Sequence, residues 1–280
     1  MKLIRRSQID TPQKTYNLHI ERDHNYVANG AVVANCHTIK GKELKSLLCG
    51  ALSDVPIRWG VTGSVPKEDH ESICLLAAIG PLIGTLSAAE LQEKGVLANC
   101  KIEIRQLIDP DYEFADYQEE HEFLLTDPQR LAYVAKLIEG WAATGNTMVL
   151  VDRIESGKRL QKLIPDSVFV SGSTKETTRQ REYNSIQTAT NKIIVATYGI
   201  AAVGINIPRL FNLVILEPGK SYVRNTQAAG RILRRANDKS DAVIYDVCSS
   251  LKFSARHLTK RKTYYAEAGY PVQKVRLRYP

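Results

Sequence analysis

The second half of this chain alternates short apolar runs with amphipathic stretches, and this pattern restricts the possible fold more than any other feature. The runs are rich in Val and Ile, and the stretches between them have helical spacing. Buried apolar strands that alternate with helices predict a parallel α/β sheet with right-handed crossovers. The predicted strands are 148–151, 168–170, 193–196, 212–216 and 242–247, and the predicted helices are 154–164, 175–187 and 221–236.

Residues 1–35 have a different character. Two β-like runs, 16–20 and 31–33, flank the turn signal Asn29-Gly30, which predicts a hairpin. A segment of this length cannot bury a core of its own, so we expect it to need a partner.

Charge is unevenly distributed along the chain, whose net charge is +8. Residues 109–122 hold seven carboxylates and no Lys or Arg, and we interpret them as an acidic linker between two α/β units. Residues 252–280 hold eight Lys or Arg side chains, interleaved with tyrosines, against the single acid Glu267. Such a tail could bind phosphates and stack on bases, or it could be a surface helix with packed tyrosines.

Metal and membrane sites are not expected. None of the five cysteines forms a CxxC pair, and no His spacing suggests zinc. The uncharged stretch 72–89 is interrupted by Gly80-Pro81, so it is too short for a membrane span.

An Asn-Cys pair at Asn35-Cys36 follows the run 16–26 and Asn29-Gly30. Together these residues resemble the C-terminal fragment of inteins, especially split inteins of the DnaE type. The resemblance implies that the Cys36 thiolate attacks an upstream thioester, since thiolates are strong nucleophiles. The Asn35 amide would then cyclise on its own carbonyl, with His24 as general acid/base, and cut the chain after Asn35.

Two positions depart from the intein pattern. Ala34 stands where inteins usually have His before the final Asn, and Asn17 stands where Asp is common. Both departures are expected to slow splicing without removing the nucleophiles. The alternative is an ordinary hairpin with a chance Asn-Cys pair.

Helicase-like motifs follow in a fixed order. Cys36-His37 resembles the end of the Asp-Glu-x-His motif of superfamily 2 helicases, whose two acids would lie on an upstream polypeptide. Thr62-Gly63-Ser64 resembles the third motif, which links nucleotide state to strand binding. The resemblance implies that His37 couples the nucleotide to these contacts.

The fifth and sixth motifs lie in the second half. Residues 196–208, which include Thr197, Gly204 and Asn206, resemble the fifth motif, although the family often has Asp in place of Asn206. Residues 227–234 match the sixth motif, Gln-x-x-Gly-Arg-x-x-Arg. Helical spacing would put its polar members on one face, and guanidinium groups can stabilise γ-phosphate charge. The predicted nucleotide contacts are Gly204, Asn206, Gln227, Arg231 and Arg234, with Thr62, Gly63, Ser64 and Thr197 predicted to bind nucleic acid or couple the sites.

A phosphate-binding loop is missing from this sequence. Gly219-Lys220-Ser221 ends like one, but Val214 occupies the position where the pattern requires Gly. We therefore expect the chain alone not to hydrolyse ATP, and ATP and Mg²⁺ to bind only after an N-terminal partner completes the enzyme.

These resemblances predict an α/β fold with a complete second RecA-like domain, part of a first one, and a short β-rich intein fragment. Residues 79–97 and 264–270 look most like phage recombination helicases of the UvsW type. The expected function is the C-terminal half of an ATP-dependent DNA helicase or translocase, ligated by trans-splicing to an upstream polypeptide that carries the N-intein. The alternatives are an unspliced nucleic-acid-binding fragment and half of an RNA helicase. We expect a bacterial or phage-infected host cytoplasm and no membrane partner. The predicted segments are intein fragment 1–35, first domain 36–108, linker 109–122, second domain 123–250 and basic extension 251–280.

Overall fold

The structure, a computed structural model, describes residues 25–28, 31–35, 46–55, 57–61, 69–201, 207–219, 234–236 and 238–280. Its contacts divide the chain into two compact units, Met1–Ile83 and Gly84–Pro280.

The first unit contains a small mixed sheet. Strand β1 (Asn25–Ala28) is antiparallel to β2 (Ala31–Asn35), and β2 is parallel to β3 (Ile57–Val61). Ala28 pairs with Ala31, which leaves Asn29 and Gly30 as the connecting residues of the predicted hairpin. The predicted strand at 16–20 lies outside the described residues.

A small apolar cluster accompanies this sheet. A π-helical turn at Leu47–Ala51 and helix α1 (Asp69–Ala78) contribute the buried side chains of Leu48 and Ala78. Half-buried apolar residues pack against these two: Leu52, Val55, Cys74, Leu75 and Ile79.

The second unit is built on a seven-stranded, wholly parallel sheet. Its strands are β4 (Asn99–Leu107), β5 (Thr147–Val151), β6 (Ser167–Val170), β7 (Ile193–Thr197), β8 (Asn212–Leu216), β9 (Asp241–Ser249) and β10 (Val272–Leu277). Their order across the sheet is β10-β4-β9-β8-β5-β7-β6. The predicted parallel α/β fold is confirmed.

Helices cover this sheet. They are α2 (Ala88–Glu93), α3 (Tyr117–Thr126), α4 (Pro128–Ala142), α5 (Ile154–Leu163), α6 (Glu176–Ser185), α7 (Tyr198–Ala201) and α8 (Lys252–Glu267). Successive side chains of β5 point to opposite faces. Met148 and Leu150 join a core with residues of α6 and α8, whereas Val149 and Val151 join a core with residues of α4 and α5. The unit therefore has three layers, with a separate apolar core on each face of the sheet.

Two predicted boundaries differ from the structure. Strand β4 lies within the predicted first domain, 36–108, yet it pairs with β9 and β10 of the second unit. Its apolar residues Ile102 and Ile104 belong to the core of that unit. Residues 234–236, the last three of the predicted helix 221–236, are not helical, and Ala236 forms a bridge with Lys239. The rest of that helix, 221–233, lies outside the described residues.

Neutral amides close the amino ends of the central strands. The Asn146 amide nitrogen donates to the carbonyls of Ile186, Ala189 and Arg209 at 3.0–3.1 Å, and its oxygen accepts from the Lys192 N–H at 2.9 Å. The Asn212 amide nitrogen lies 2.9 Å from the Trp141 carbonyl oxygen. Both asparagines are buried, so these hydrogen bonds satisfy polar groups that no water reaches.

Candidate functional site

Most of the predicted site residues cannot be placed. His24, Cys36, His37, Thr62, Gly63, Ser64, Gly204, Asn206, Gln227 and Arg231 lie outside the described residues. Asn35 is the last residue of β2, where it pairs with Val61. Thr197 is the half-buried last residue of β7, and Arg234, the last residue of the predicted sixth motif, is also half-buried. Their roles stay predictions.

The carboxyl ends of the parallel strands meet at one edge of the sheet, the usual place for ligands in α/β folds. Thr197 ends β7, Glu217 follows β8, Ser249 ends β9, and Asp109 lies just beyond β4. Three of these four residues, Asp109, Glu217 and Ser249, are buried. The edge therefore carries polar side chains that the protein itself must satisfy.

A buried arginine links two of these strand ends. The Arg130 guanidinium, on α4, donates to Asp109 at 2.9 Å, to the Leu124 carbonyl at 2.8 Å and to the Glu217 carboxylate. Arg130 is 0% exposed. Because an unpaired buried charge is costly, each of these three partners is needed to keep the guanidinium inside.

Hydroxyl groups complete this arrangement. Asp109 accepts from Ser249 at 2.5 Å and from the Tyr279 hydroxyl at 2.7 Å, and Ser254 donates to Glu217 at 2.9 Å. We call this set the strand-end network: Asp109, Arg130, Glu217, Ser249, Ser254 and Tyr279. It ties the ends of β4, β8 and β9 to α4, α8 and the C-terminal segment.

The strand-end network contains more acid than base. Asp109 accepts hydrogen bonds from three side-chain donors, and burial raises the pKa of Glu217 to about 7 despite the nearby Arg130. Glu217 also has a φ of 44°, a left-handed conformation that side chains disfavour. The surroundings of Glu217 therefore keep its backbone in an unusual conformation and raise the pKa of its side chain.

The acidic segment 109–122 is packed within the second unit. Glu120, which is 1% exposed, accepts from the backbone N–H groups of Phe253 at 2.9 Å and Ser254 at 2.6 Å. These N–H groups lie in the first turn of α8, where they have no partner within the helix, and the preceding residue Leu251 offers no side-chain cap. The predicted linker thus contains a helix, α3, that caps the first turn of α8.

The predicted basic extension is also packed. Arg261, on α8, is 0% exposed and makes a bidentate ion pair with Asp246 of β9 at 2.8 Å. Its third contact is a 2.6 Å hydrogen bond to the Pro218 carbonyl. Tyr265 is buried and donates to Asp246 at 2.8 Å. One face of α8 is therefore internal, as expected for a helix with packed tyrosines.

A buried lysine joins the loop that contains Pro208 to the loop that contains Arg234. Lys239 is 2% exposed, and its ammonium group donates to the Arg234 carbonyl at 2.9 Å and the Pro208 carbonyl at 3.3 Å. Desolvation by burial lowers the pKa of Lys239 to about 8. Arg209 and Asp238 form a second link between the same loops at 2.8 Å.

Sequence reasoning did not identify these buried charges. A signal for Arg130 existed, because Val134 and Ile138 lie four and eight residues further along α4 and are buried. Arg261 likewise shares the spacing of the buried residues Leu258 and Tyr265. Charged residues at core positions of a helix indicate buried ion pairs.

The described residues give no sign of two other kinds of site. Among them, no three His, Cys, Asp or Glu side chains are grouped so that they could hold a metal ion. None of the described helices is long and apolar enough to cross a membrane.

Comparisons with known proteins agree with the fold. Residues 129–236 match the profile of the family described as the helicase conserved C-terminal domain, and this range includes Arg130 and Glu217. The ATP-dependent DNA helicase uvsW of Enterobacteria phage T4 is 27% identical over 240 residues, covering 82% of this chain and 47% of that protein. The chain spans 47% and 42% of the length of the curated relatives it matches.

Solved structures show the same fold. The crystal structure of T4 UvsW superposes with a TM-score of 0.57 at 19% identity, covering 88% of this chain and 53% of the other. S. cerevisiae Dbp5 bound to RNA and ADP BeF3 gives a TM-score of 0.58 at 14% identity, covering 88% and 59%. Residues 129–236 are thus similar to the helicase conserved C-terminal domain, and the second unit has a RecA-like parallel α/β fold.

Proposed function

We propose that this chain is the C-terminal half of an ATP-dependent DNA helicase or translocase, joined to its N-terminal half by trans-splicing at Asn35/Cys36. The observation that carries the helicase part is the match of residues 129–236 to the helicase C-terminal domain, within which the sixth-motif residues Gln227, Arg231 and Arg234 fall. A relative described as an ATP-dependent DNA helicase supports DNA as the nucleic acid and ATP as the fuel.

The proposed ATP chemistry is divided between two polypeptides. The upstream half would supply the phosphate-binding loop and the acids that hold Mg²⁺, which neutralises phosphate charge. This chain would supply cations: Arg231 and Arg234 stabilise charge on the γ-phosphate during in-line transfer, and Gln227 orients water or phosphate. Gly204 and Asn206 would contact the nucleotide, and His37, Thr62 and Thr197 would relay its state to the DNA.

The proposed splicing chemistry uses the residues around β2. The Cys36 thiolate attacks the upstream thioester carbonyl and displaces the upstream thiol, so that the partner's segment becomes bound to Cys36. The Asn35 side-chain nitrogen then attacks its own backbone carbonyl, which closes a succinimide and expels the Cys36 amine, while His24 transfers the proton. That amine attacks the adjacent thioester, frees the thiol and leaves a normal peptide bond. The completed enzyme would work in the cytoplasm of a bacterium or a phage-infected host.

Splicing is tested by mixing the chain with a DnaE-type N-intein fused to a marker protein. We expect a ligated product whose mass equals the marker plus residues 36–280, and a released fragment 1–35. The variants Asn35→Ala and Cys36→Ala should give no ligated product. Cys49→Ala is the matched control, because Cys49 is an exposed cysteine outside the motif and its loss should leave ligation intact.

If the mixture shows no ligated product and no cleavage after Asn35, the splicing proposal is refuted. Retention of single-stranded DNA by such an unspliced chain would then favour the nucleic-acid-binding fragment.

Catalysis is tested on the ligated helicase. Arg231→Ala should lower DNA-stimulated ATP turnover by about 10³-fold or more, the effect typical of an arginine finger. Arg181→Ala, at a side chain that is 76% exposed, is the control and should leave turnover unchanged. Unchanged turnover in Arg231→Ala would contradict the assigned role, and stimulation by RNA rather than DNA would favour the RNA helicase.

A further inference from the structure

The C-terminal segment 252–280 forms helix α8 and strand β10, and most of its basic side chains face solvent. Of its eight Lys and Arg residues, only Arg261 is buried and the other seven are exposed. Its four tyrosines are buried or half-buried, and Tyr265 and Tyr279 each donate a hydrogen bond to a buried aspartate. The charge of this segment therefore faces solvent, whereas its aromatic rings take part in packing.

Six of the exposed cations form two regularly spaced rows. Three on α8 are four residues apart, which puts them along one face of the helix at intervals of about 6 Å: Lys252, Arg256 and Lys260. Three more alternate with other residues along β10 and just after it, at intervals of about 6.6 Å: Lys274, Arg276 and Arg278. We call these six residues the C-terminal cation rows.

Both rows belong to the same face of the seven-stranded sheet. Lys274 is aligned with Ile104 of β4, and Ile104 lies in the core that contains Leu258 of α8. Because aligned residues of neighbouring strands share a face, Lys274 lies on the face that α8 covers. Arg276 is on that face too, aligned with Gln106 and donating to its side chain at 3.3 Å. β10 is the outermost strand of this sheet, so a ligand at its margin can contact both rows.

Neighbouring acids do not neutralise the C-terminal cation rows. Elsewhere in the second unit, surface arginines have carboxylate partners, for example Arg159 with Glu155 at 2.6 Å. Among the described residues, no carboxylate forms an ion pair with any member of the rows. Their contacts are the hydrogen bond of Arg276 described above and the Lys252 ammonium, which lies 5.4 Å from the centre of the Phe253 ring. Like charges in a row repel one another, so this arrangement does not stabilise the fold and suits an anionic ligand.

A ligand that fits both rows carries negative charge at short, regular intervals, as the backbone of a nucleic acid does. Sites for single strands combine cations with aromatic rings on which bases stack. The tyrosines of 252–280 are engaged in packing instead: Tyr265 bonds to Asp246, and Tyr279 stacks on Tyr133 with ring centres 5.8 Å apart. The bases of a duplex are already stacked, and cations alone bind its phosphates. The rows therefore suit duplex rather than single-stranded nucleic acid.

We propose that the C-terminal cation rows bind the phosphate backbone of duplex DNA, without reading its sequence, and so hold the duplex on the second unit. None of the six residues belongs to the predicted helicase motifs, so this is a second contact with DNA. The choice of DNA as the ligand rests on the proposed function. The binding itself needs neither ATP nor splicing, so it can be measured on the unspliced chain.

The experiment measures the binding of a short, fluorescently labelled DNA duplex to the full chain by anisotropy at several salt concentrations. The triple variant Lys274→Gln/Arg276→Gln/Arg278→Gln should bind about tenfold more weakly or worse at low salt. The slope of log K against log salt should become shallower by about 2–3, because each lost phosphate contact removes about 0.9. Lys252→Gln/Arg256→Gln/Lys260→Gln should act in the same direction. An unmodified chain that binds no duplex would overturn the inference.

The matched control removes the same charge from the opposite face of the sheet. Three exposed lysines lie on α4 and α5, the helices that pack on the other core: Lys136, Lys158 and Lys162. Changing all three to Gln should alter the affinity by less than about twofold, because charges farther than a Debye length from the ligand are screened. Equal losses in this variant and the two row variants would show that only net charge matters, and would overturn the site. Urea unfolding checks that all three variants stay folded, since exposed charges contribute little to stability.

Two other ligands test the choice of duplex DNA. The β10 triple variant should lose more affinity for the duplex than for a single strand of the same length, and an equal or larger loss for the single strand would overturn that choice. Polyglutamate at the same concentration of charge should not displace the duplex. Displacement would favour an acidic protein as the partner and would overturn the assignment to DNA.

This inference and the proposed function can fail separately. If the row variants lose duplex binding but the unmodified ligated protein shows no DNA-stimulated ATP turnover, the proposed function is refuted and the duplex site stands. If the ligated protein is active but the unspliced chain and its row variants bind the duplex equally well, the duplex site alone is refuted.

Discussion

The amino ends and the carboxyl ends of the strands in the seven-stranded sheet both contain buried polar groups, but they satisfy these groups with different chemistry. At the amino ends of the strands, Asn146 and Asn212 satisfy buried backbone groups with neutral amides. At the carboxyl ends, the ionisable side chains of Asp109, Arg130 and Glu217 pair with one another. Burying an amide costs far less than burying a charge, so the amino edge is the less costly solution.

The comparison indicates that the carboxyl ends of the strands are constrained by more than stability. A neutral amide can satisfy its donors and acceptor wherever strands begin, and it needs no partner of opposite charge. The strand-end network must match two carboxylates to one guanidinium, and burial raises the pKa of one of those carboxylates, Glu217. We infer that this network holds the loops after β4, β8 and β9 in one conformation.

The largest expected effect is at the ionic edge. Arg130→Met would leave Asp109 and Glu217 buried without a cation, and it should lower the free energy of unfolding by about 3–5 kcal/mol in urea denaturation. Arg181→Met removes an exposed arginine and should change it by less than about 1 kcal/mol. Equal losses in the two variants would show that the network contributes no more than a surface charge.

Mutations at the amino ends of the strands should lower the free energy of unfolding by less. Asn146→Ala would leave several buried carbonyls and the Lys192 N–H without a partner, and it should cost about 2–3 kcal/mol of unfolding free energy. Because no charge is lost, the cost should be the same in low and high salt. A strong dependence on salt would break the distinction between the two edges.

A smaller effect is expected where the acidic segment caps α8. Glu120→Gln keeps one acceptor but loses the charge that faces the N–H groups of Phe253 and Ser254, and it should cost about 1 kcal/mol. Amide exchange at these two residues should quicken. Glu122→Gln, at a side chain that is 63% exposed, is the control, and a loss there as large as at Glu120 would argue against capping.

The dependence of stability on pH should also differ between the carboxyl ends and the amino ends of the strands. Burial raises the pKa of Glu217 from 4.5 to about 7, so the folded state binds the proton more tightly than the unfolded state does. The contribution of this group to stability is therefore present below about pH 4.5 and is lost as the pH rises through about 7. The unfolding free energy of the unmodified protein minus that of Glu217→Gln should fall across this window, whereas the difference for Asn146→Ala should stay level. A flat difference for Glu217→Gln would contradict the raised pKa.

The strands of the central sheet were predictable because each is a buried apolar run. Residues 212–216 were predicted as the structure has them, and 193–196 lacks only Thr197. Strand β4 was harder, since its sequence Asn99–Leu107 mixes charged and apolar residues, and its partners β9 and β10 lie far along the chain. Local pattern shows that a strand exists but does not say which strands pair.

The buried charges were not predicted for a related reason. The sequence pattern of 109–122 predicts an acidic linker, although Asp109 and Glu120 are buried and their neighbours Asp111 and Glu119 are exposed. Composition averages over such differences. Only the tertiary partners of a carboxylate, here Arg130 and the first turn of α8, decide whether it lies inside.

The position of β4 has a consequence for how this protein is made. β4 pairs with β9 and β10, and residues such as Asn99 and Asp241 that meet across the sheet are 142 positions apart. On the ribosome β4 leaves the exit tunnel long before these two neighbours have been translated, so its edges stay open during most of synthesis. Sheets that depend on distant segments form slowly and expose unpaired edges meanwhile. The synthesis of β10, the later of these two neighbours in the chain, therefore decides when this side of the sheet can close, and termination of translation before β10 would leave an aggregation-prone edge.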